Sequence, residues 1–268
     1  MWSVEQLPRH YYGRHNTVAK YDYLLSLRAY LLFIEVFYAL IAWKMTRRSR
    51  TYACIPDWLE YLTIFWNGMN ASLAFYVVVL MLPEFQEALG NGWYFTVCKV
   101  GNLYTDKFSG YGIYVYCISS IFRMGDVVLM SARGTRPTIL HHLYRMVLPL
   151  WGLYSFYTAG SIFRISPFLN SITNFLMHAY HSTTDIWPPA RAAGRYVAAL
   201  QIIQCIIVLG SMTSLFAYIA DEMPCETNLY ALPVHFALVC GFLALAAKLF
   251  AEKYVNFGGR NKNKVKGC

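Results

Sequence analysis

Charge is scarce in this chain. Only 14% of its 268 residues are Asp, Glu, Lys or Arg, against about 25% in soluble domains, which excludes an ordinary water-soluble fold. Acidic residues are the scarcer kind, 14 against 23 Lys and Arg, for a net charge of +9. Most of that excess lies beside hydrophobic segments, where Lys and Arg mark one side of a bilayer, so a nucleic-acid partner is excluded. No internal repeat, low-complexity tract or long linker interrupts the sequence. A single domain over 1–268 is therefore expected, with a polar N-terminal segment at 1–23 and a basic C-terminal tail at 251–268. The polar, aromatic residues before the first apolar run do not follow a signal-peptide pattern. Seven cysteines in a membrane protein of this size do not make a disulfide scaffold.

What fills the chain is apolar surface, 57% of residues, in runs of about 20 residues, the length that crosses a hydrocarbon core. Seven runs stand out: Leu25 to Trp43, Leu62 to Leu82, Gly112 to Met130, Ile139 to Phe156, Ile165 to Tyr180, Val197 to Ile219 and Leu229 to Phe250. The fifth is short and polar. The fold class expected is an all-α integral membrane bundle of seven transmembrane helices. With seven spans, one side of the membrane holds 14 Lys and Arg and the other holds 5, which places the C-terminus on the cytoplasmic or matrix side.

Cys98 and Cys225 both fall in loops on the less positive side, where an oxidising space permits a disulfide. Pairing and two separate thiols are both open, since sequence sets no Cα distance. Cys117, Cys205 and Cys240 are mid-span and read as small packing residues.

Ionisable groups inside spans are costly and mark where function is to be sought. In the third span Arg123 and Asp126 stand three residues apart on one helical face, close enough to pair. In the fourth, His141, Tyr144 and Arg145 share a face beside His142. In the fifth, Asn174, His178 and His181 do so at i, i+4 and i+7. Consecutive helices thus direct polar groups at a common interior.

The order and spacing of these segments resemble the very-long-chain fatty-acid elongase family. Trp66-Asn67 with Ser72 is similar to a YN...S segment. Ser119 to Arg133 resembles SKxxExxDTxxxxLR, Leu140 to Pro149 resembles LHxxHHxxxP, Asn170 to His181 resembles NSxxHxxMYxYY, and Leu200 to Gln204 resembles LQxxQ. The resemblance covers nearly the whole chain and implies a seven-helix membrane enzyme that condenses malonyl-CoA with a fatty acyl-CoA. Asp126, Arg133, Gln201 and Gln204 keep the pattern, with Arg123, Asp126, Gln201 and Gln204 expected as interior polar or lipid-pocket residues. Tyr144, Arg145 and Asn174 stand where the family has histidines, and Ser120 and Arg123 where it has Lys and Glu.

Condensation needs groups that take up and release protons near neutral pH, work suited to imidazole. Asparagine cannot do this, tyrosine titrates near 10 and arginine stays charged. These departures predict a catalytically inactive protein with no catalytic residue among His141, Tyr144, Arg145, Asn174, His178 and His181. It would serve as a structural, lipid-contacting accessory subunit of a larger membrane complex, such as a respiratory or ATP-synthase assembly of the mitochondrial inner membrane. Partners would be other subunits and membrane lipids; no cofactor is expected beyond a bound phospholipid or acyl chain. Arg133, Arg136, Arg191 and Arg195 would meet lipid headgroups, and Arg123 would pair with Asp126. The alternative is an active acyl-CoA elongase of the endoplasmic reticulum, in which His178 and His181 join His141 in a relocated set. A zinc site among His141, His142, His178 and His181 is disfavoured, because adjacent histidines diverge by about 100° on a helix, and no metal is expected. The terminal Lys264-Val265-Lys266-Gly267-Cys268 fits a dilysine retrieval signal and equally an anionic-lipid contact.

Overall fold

The computed structural model describes residues 56–133 and 160–255, with isolated positions 33, 36–38, 40, 41, 44, 147, 151 and 152 of the first and fourth apolar runs. His141, His142, Tyr144, Arg145 and Arg136, most of the first and fourth spans, segment 1–23 and the tail beyond 255 lie outside the described residues.

The regular structure of the described residues is helical, without strands: α1 Asp57–Gly90, α2 Trp93–Cys98, α3 Lys107–Phe122, α4 Gly125–Ala132, α5 Ile162–Ile186, a 3₁₀ segment Pro188–Ala193, α6 Gly194–Ala220 and α7 Ala231–Phe250, which runs on as a π turn over Ala251–Val255. Four units are long and apolar enough to cross a membrane: α1, α3 with α4 as Lys107–Ala132, the 3₁₀ segment with α6 as Pro188–Ala220, and α7 with its π turn. The chain is thus a multi-pass, all-α membrane protein. Residues 251–255 continue the last helix.

Local chemistry explains the bounds. Asp57 and Glu60 occupy the first turn of α1, where carboxylates complement the helix dipole. Inside α1 the polar side chains turn back on their own helix. Thr63 Oγ1 donates to the Leu59 carbonyl, Asn67 Nδ2 to Thr63 and Asn70 Nδ2 to Trp66, at 2.7 to 2.9 Å. Asp106 caps α3 by accepting the N–H groups of Phe108 and Ser109, the preferred role of Asp at a helix start. Asn228 Oδ1 does the same for Tyr230 and Ala231 at the head of α7. Gly112 lets α3 approach α1 closely: a Cβ there would stand 3.0 Å from Met81 and 3.1 Å from Leu80. Small residues bring membrane helices together in this way.

The polar fifth run is a full helix, α5, of 25 residues. It packs most extensively against α1 and also against α6, α2 and α3. Its antiparallel course beside α1 puts Arg164 next to Glu84, so the end of α1, α2, the start of α5 and the α6–α7 turn gather at one end. The opposite end holds Arg133, Asp185 and the 3₁₀ segment.

Candidate functional site

Three helices bring polar side chains to one buried point. Trp66 Nε1 of α1 donates to Asp126 Oδ1 of α4 at 2.6 Å. The other carboxylate oxygen, Oδ2, lies 3.8 Å from His178 Nε2 of α5. The second ring nitrogen, Nδ1, lies 2.9 Å from Asn67 Oδ1. Because the Asn67 amide nitrogen is committed to the Thr63 carbonyl at 2.9 Å, its oxygen faces the ring, and the network assigns a proton to Nδ1. His178 is 1% exposed. Gly125 makes the arrangement possible: a Cβ there would lie 2.5 Å from the Trp66 ring, so the indole closes over the helix start and reaches the next residue, Asp126.

The pairing of Arg123 with Asp126 is corrected. The chain leaves α3 at Phe122 and enters α4 at Gly125. Arg123 sits in that joint, donates from Nη2 to Ser120 Oγ and lies 5.5 Å from the Tyr116 ring centroid. Tyr116 donates in turn to Asn170 Oδ1 at 3.4 Å, the oxygen that also receives Asn174 Nδ2. Thr173 donates to Gln204 Oε1, and Gln201 Nε2 lies 3.1 Å from Met177 Sδ. A polar seam therefore runs along α5 between α3 and α6. The three residues expected on one face of α5 separate: Asn174 lies in this seam, His178 is buried, and His181 is exposed with its ring edge-on to Tyr180.

Two turns toward the Arg133 end lies a second link between α4 and α5. Arg133 donates to both oxygens of Asp185, at 3.0 and 3.4 Å, so Arg133, expected to meet lipid headgroups, is held by a carboxylate. Asp185 is a residue that motif reading passes over, although the spacing shows it: Arg133 follows Asp126 by seven residues, as Asp185 follows His178. Arg191 and Arg195 are exposed beyond it, and Arg195 lies 4.7 Å from the Tyr196 ring. Gly194 is tight against Tyr180 and Tyr254, whose hydroxyls a Cβ would approach to 2.5 and 2.9 Å.

The other end carries a group that sequence patterns place only at a span edge. Arg164 is fully buried and donates to Glu84 from Nε and Nη2, at 2.9 and 2.7 Å. Its remaining donors reach the carbonyls of Thr96, Lys99 and Val100 at 2.7 Å and Phe95 at 3.4 Å. One guanidinium thus caps the end of α2 and joins it to α1 and α5. Cys98 and Cys225 are disulfide-bonded with Cα atoms 4.4 Å apart. Beside them Glu226 donates its N–H to the Cys98 carbonyl, accepts the Val100 N–H on Oε2 and meets Lys99 at 3.8 Å. Tyr104 donates to the Gly160 carbonyl at 2.9 Å. Burial pushes this phenol above its ordinary value of 10.0, which keeps it a donor. Among the described residues no group of three or more His, Cys, Asp or Glu is placed to hold a metal ion.

The segments that build this interior are shared with known proteins. The family model described as ELO, GNS1/SUR4 family, matches residues 19–263, and the chain belongs to that family. Long chain fatty acid elongase 1 of Caenorhabditis elegans is 27% identical over 247 residues, covering 90% of this chain and 82% of the relative. Very long chain fatty acid elongase 6 of Drosophila melanogaster is 22% identical over 209 residues, covering 75% and 65%. Fatty acid elongase 2 of Trypanosoma brucei brucei is 21% identical over 208 residues, covering 74% and 76%. The expectation that the chain is not an enzyme is overturned by these matches: the family is enzymatic, and relatives aligned over most of the chain are named as elongases. Neither an accessory-subunit role nor a mitochondrial membrane gains support from them.

Proposed function

We propose that this chain is a fatty acyl-CoA elongase of the endoplasmic reticulum membrane. It crosses the bilayer seven times with its C-terminus on the cytoplasmic side, the side that 14 of the Lys and Arg residues mark. It condenses malonyl-CoA with a fatty acyl-CoA to give a 3-ketoacyl-CoA, carbon dioxide and free CoA. Family membership over 19–263 supports the reaction class, and one structural observation carries it to this chain. Trp66-Asn67, Asp126 and His178, drawn from three of the segments that resemble the family, meet at one buried point.

The expectation of inactivity rests on counting histidines at family positions, where Tyr144, Arg145 and Asn174 replace three. His178 is one helical turn further on, and it occupies the interior beside a carboxylate. A titratable ring is therefore present in the bundle. Fixed side chains oriented before the substrate arrives are what orientation-dependent catalysis requires.

The test is direct. Membranes from a host lacking endogenous elongase activity, with this chain expressed, are given labelled malonyl-CoA and a panel of saturated acyl-CoAs. A labelled 3-ketoacyl-CoA above the empty-vector control is expected with at least one chain length. No product with any acyl-CoA, from protein that is folded and inserted, would refute the proposal.

A further inference from the structure

We infer that His178 is the proton donor to the departing CoA thiolate, with Asp126 and Asn67 as its positioning residues. The inference rests on the elongase reading and extends it to residues at which the chain departs from the family pattern. The balance of the reaction requires such a donor. Loss of carbon dioxide from the malonyl group leaves an electron pair on carbon, which forms the new C–C bond at the acyl carbonyl. The C–S bond of the acyl thioester then breaks, and its pair leaves on sulfur. The thiolate takes up one proton, and that proton must come from somewhere in a bundle interior shielded from water.

The geometry prepares His178 to hold it. Asn67 cannot turn its amide, because its nitrogen is bound to the Thr63 carbonyl, so its oxygen keeps the Nδ1 proton at 2.9 Å. Nε2 is then the position where a proton is gained or given. Asp126 faces it with Oδ2 at 3.8 Å, while Trp66 holds the other oxygen at 2.6 Å. The ring thus directs one nitrogen at Asn67 and the other toward a carboxylate. The depth also fits. His178 and Asp126 each lie seven residues inside the Arg133–Asp185 link, about 10 Å at 1.5 Å per residue. A CoA headgroup outside the bundle, among the exposed Arg191 and Arg195, would send its thioester inward past that link.

Among the described residues, Asp126 is the charged group whose carboxylate faces the His178 ring. Glu84 is taken by Arg164, and Asp185 by Arg133. Arg123, in the α3–α4 joint, donates to Ser120. On the side of α6 the groups toward α5 are the amides Gln201 and Gln204.

The experiment uses the full chain purified in detergent, with malonyl-CoA and an acyl-CoA that the wild type elongates. Asp126→Asn keeps the Trp66 bond and offers His178 an uncharged partner. kcat is expected to fall about 100-fold, within the range for a positioned acid or base, with KM changed less than about threefold. The alkaline limb of kcat should shift, because Nε2 then faces an uncharged amide in place of a carboxylate. His178→Gln keeps a donor for Asn67 and is expected to lose a similar factor and the limb itself. Should His178→Gln fail to fold, Asp126→Asn decides alone. Wild-type kcat and pH profile in both variants would overturn the proton role while leaving the elongase reading intact. A wild type that forms no 3-ketoacyl-CoA would overturn both.

Discussion

Replacing Arg164 by Leu should be among the most destabilising single changes in the described bundle. The side chain is 0% exposed and serves one carboxylate and four carbonyls. Two of those carbonyls keep another donor: Phe95 receives the Lys99 N–H at 3.0 Å and Val100 the Leu103 N–H at 3.2 Å. The loss therefore falls on Glu84 and on the carbonyls of Thr96 and Lys99. Breaking a buried ion pair from one side costs about 3 to 5 kcal/mol, and a buried acceptor stripped of its donor costs about 1 to 3 kcal/mol. These costs overlap, and interhelical polar contacts in membranes average only about 0.6 kcal/mol because the unfolded chain finds other partners. A net loss of about 4 kcal/mol follows, which lowers Tm by roughly 8 to 16 °C for a protein of this size. The assay is the thermal loss of the monodisperse peak when detergent-purified protein is heated and passed over a sizing column. The double variant Glu84→Leu with Arg164→Leu removes the stranded carboxylate as well and should be more stable than Arg164→Leu alone. An Arg164→Leu protein melting within about 2 °C of wild type would refute the reasoning, since the costs of burial would then not operate at this end of the bundle.

Gly160→Ala should lower Tm in the same assay by the equivalent of about 2 kcal/mol or more. The residue has φ +57, and its added Cβ would collide with the Glu226 carbonyl oxygen. Reduction of Cys98–Cys225, or their joint replacement by Ser, opens a link between residues 127 apart. Chain entropy sets an upper limit near 5 kcal/mol for such a loop, and because Arg164 and Glu226 already hold both segments, about 2 kcal/mol is expected. Reductant should lower the Tm of wild type and leave that of the double Ser variant unchanged.

The helices are legible in the sequence, and their ends are not. Pro83 and Glu84 close the second apolar run at Leu82, yet α1 continues to Gly90 with Pro83 inside it. The reason is tertiary: Arg164, 80 residues away, takes up the Glu84 carboxylate. The fifth run is polar enough to read as a short span, and its polarity is what α1, α3 and α6 receive. Arg123 and Asp126 have the right spacing for a pair on an ideal helix, but the chain breaks between α3 and α4, so the spacing rule no longer applies. Trp66 then competes for Asp126 from another helix, which no local pattern reveals.

The site shows why comparing residues at aligned positions misjudges the chemistry. A motif position records which residue stands at one place in the chain, whereas a reaction depends on which groups reach one place in space. Residues four apart on a helix differ in height by about 6 Å, so Asn174 and His178 lie at neighbouring depths of α5. Asn174 lies at the level of Asn170 and Tyr116, and His178 at the level of Asp126 and Asn67. Replacing the histidine at one level and gaining one at the next moves the titratable ring along the interior without removing it from the bundle. Asp126 is the fixed point of that change, because Gly125 and Trp66 hold it where α4 begins. Its carboxylate faces the imidazole at 178 from a second helix, and ionisable groups inside a membrane bundle pair with one another in this way.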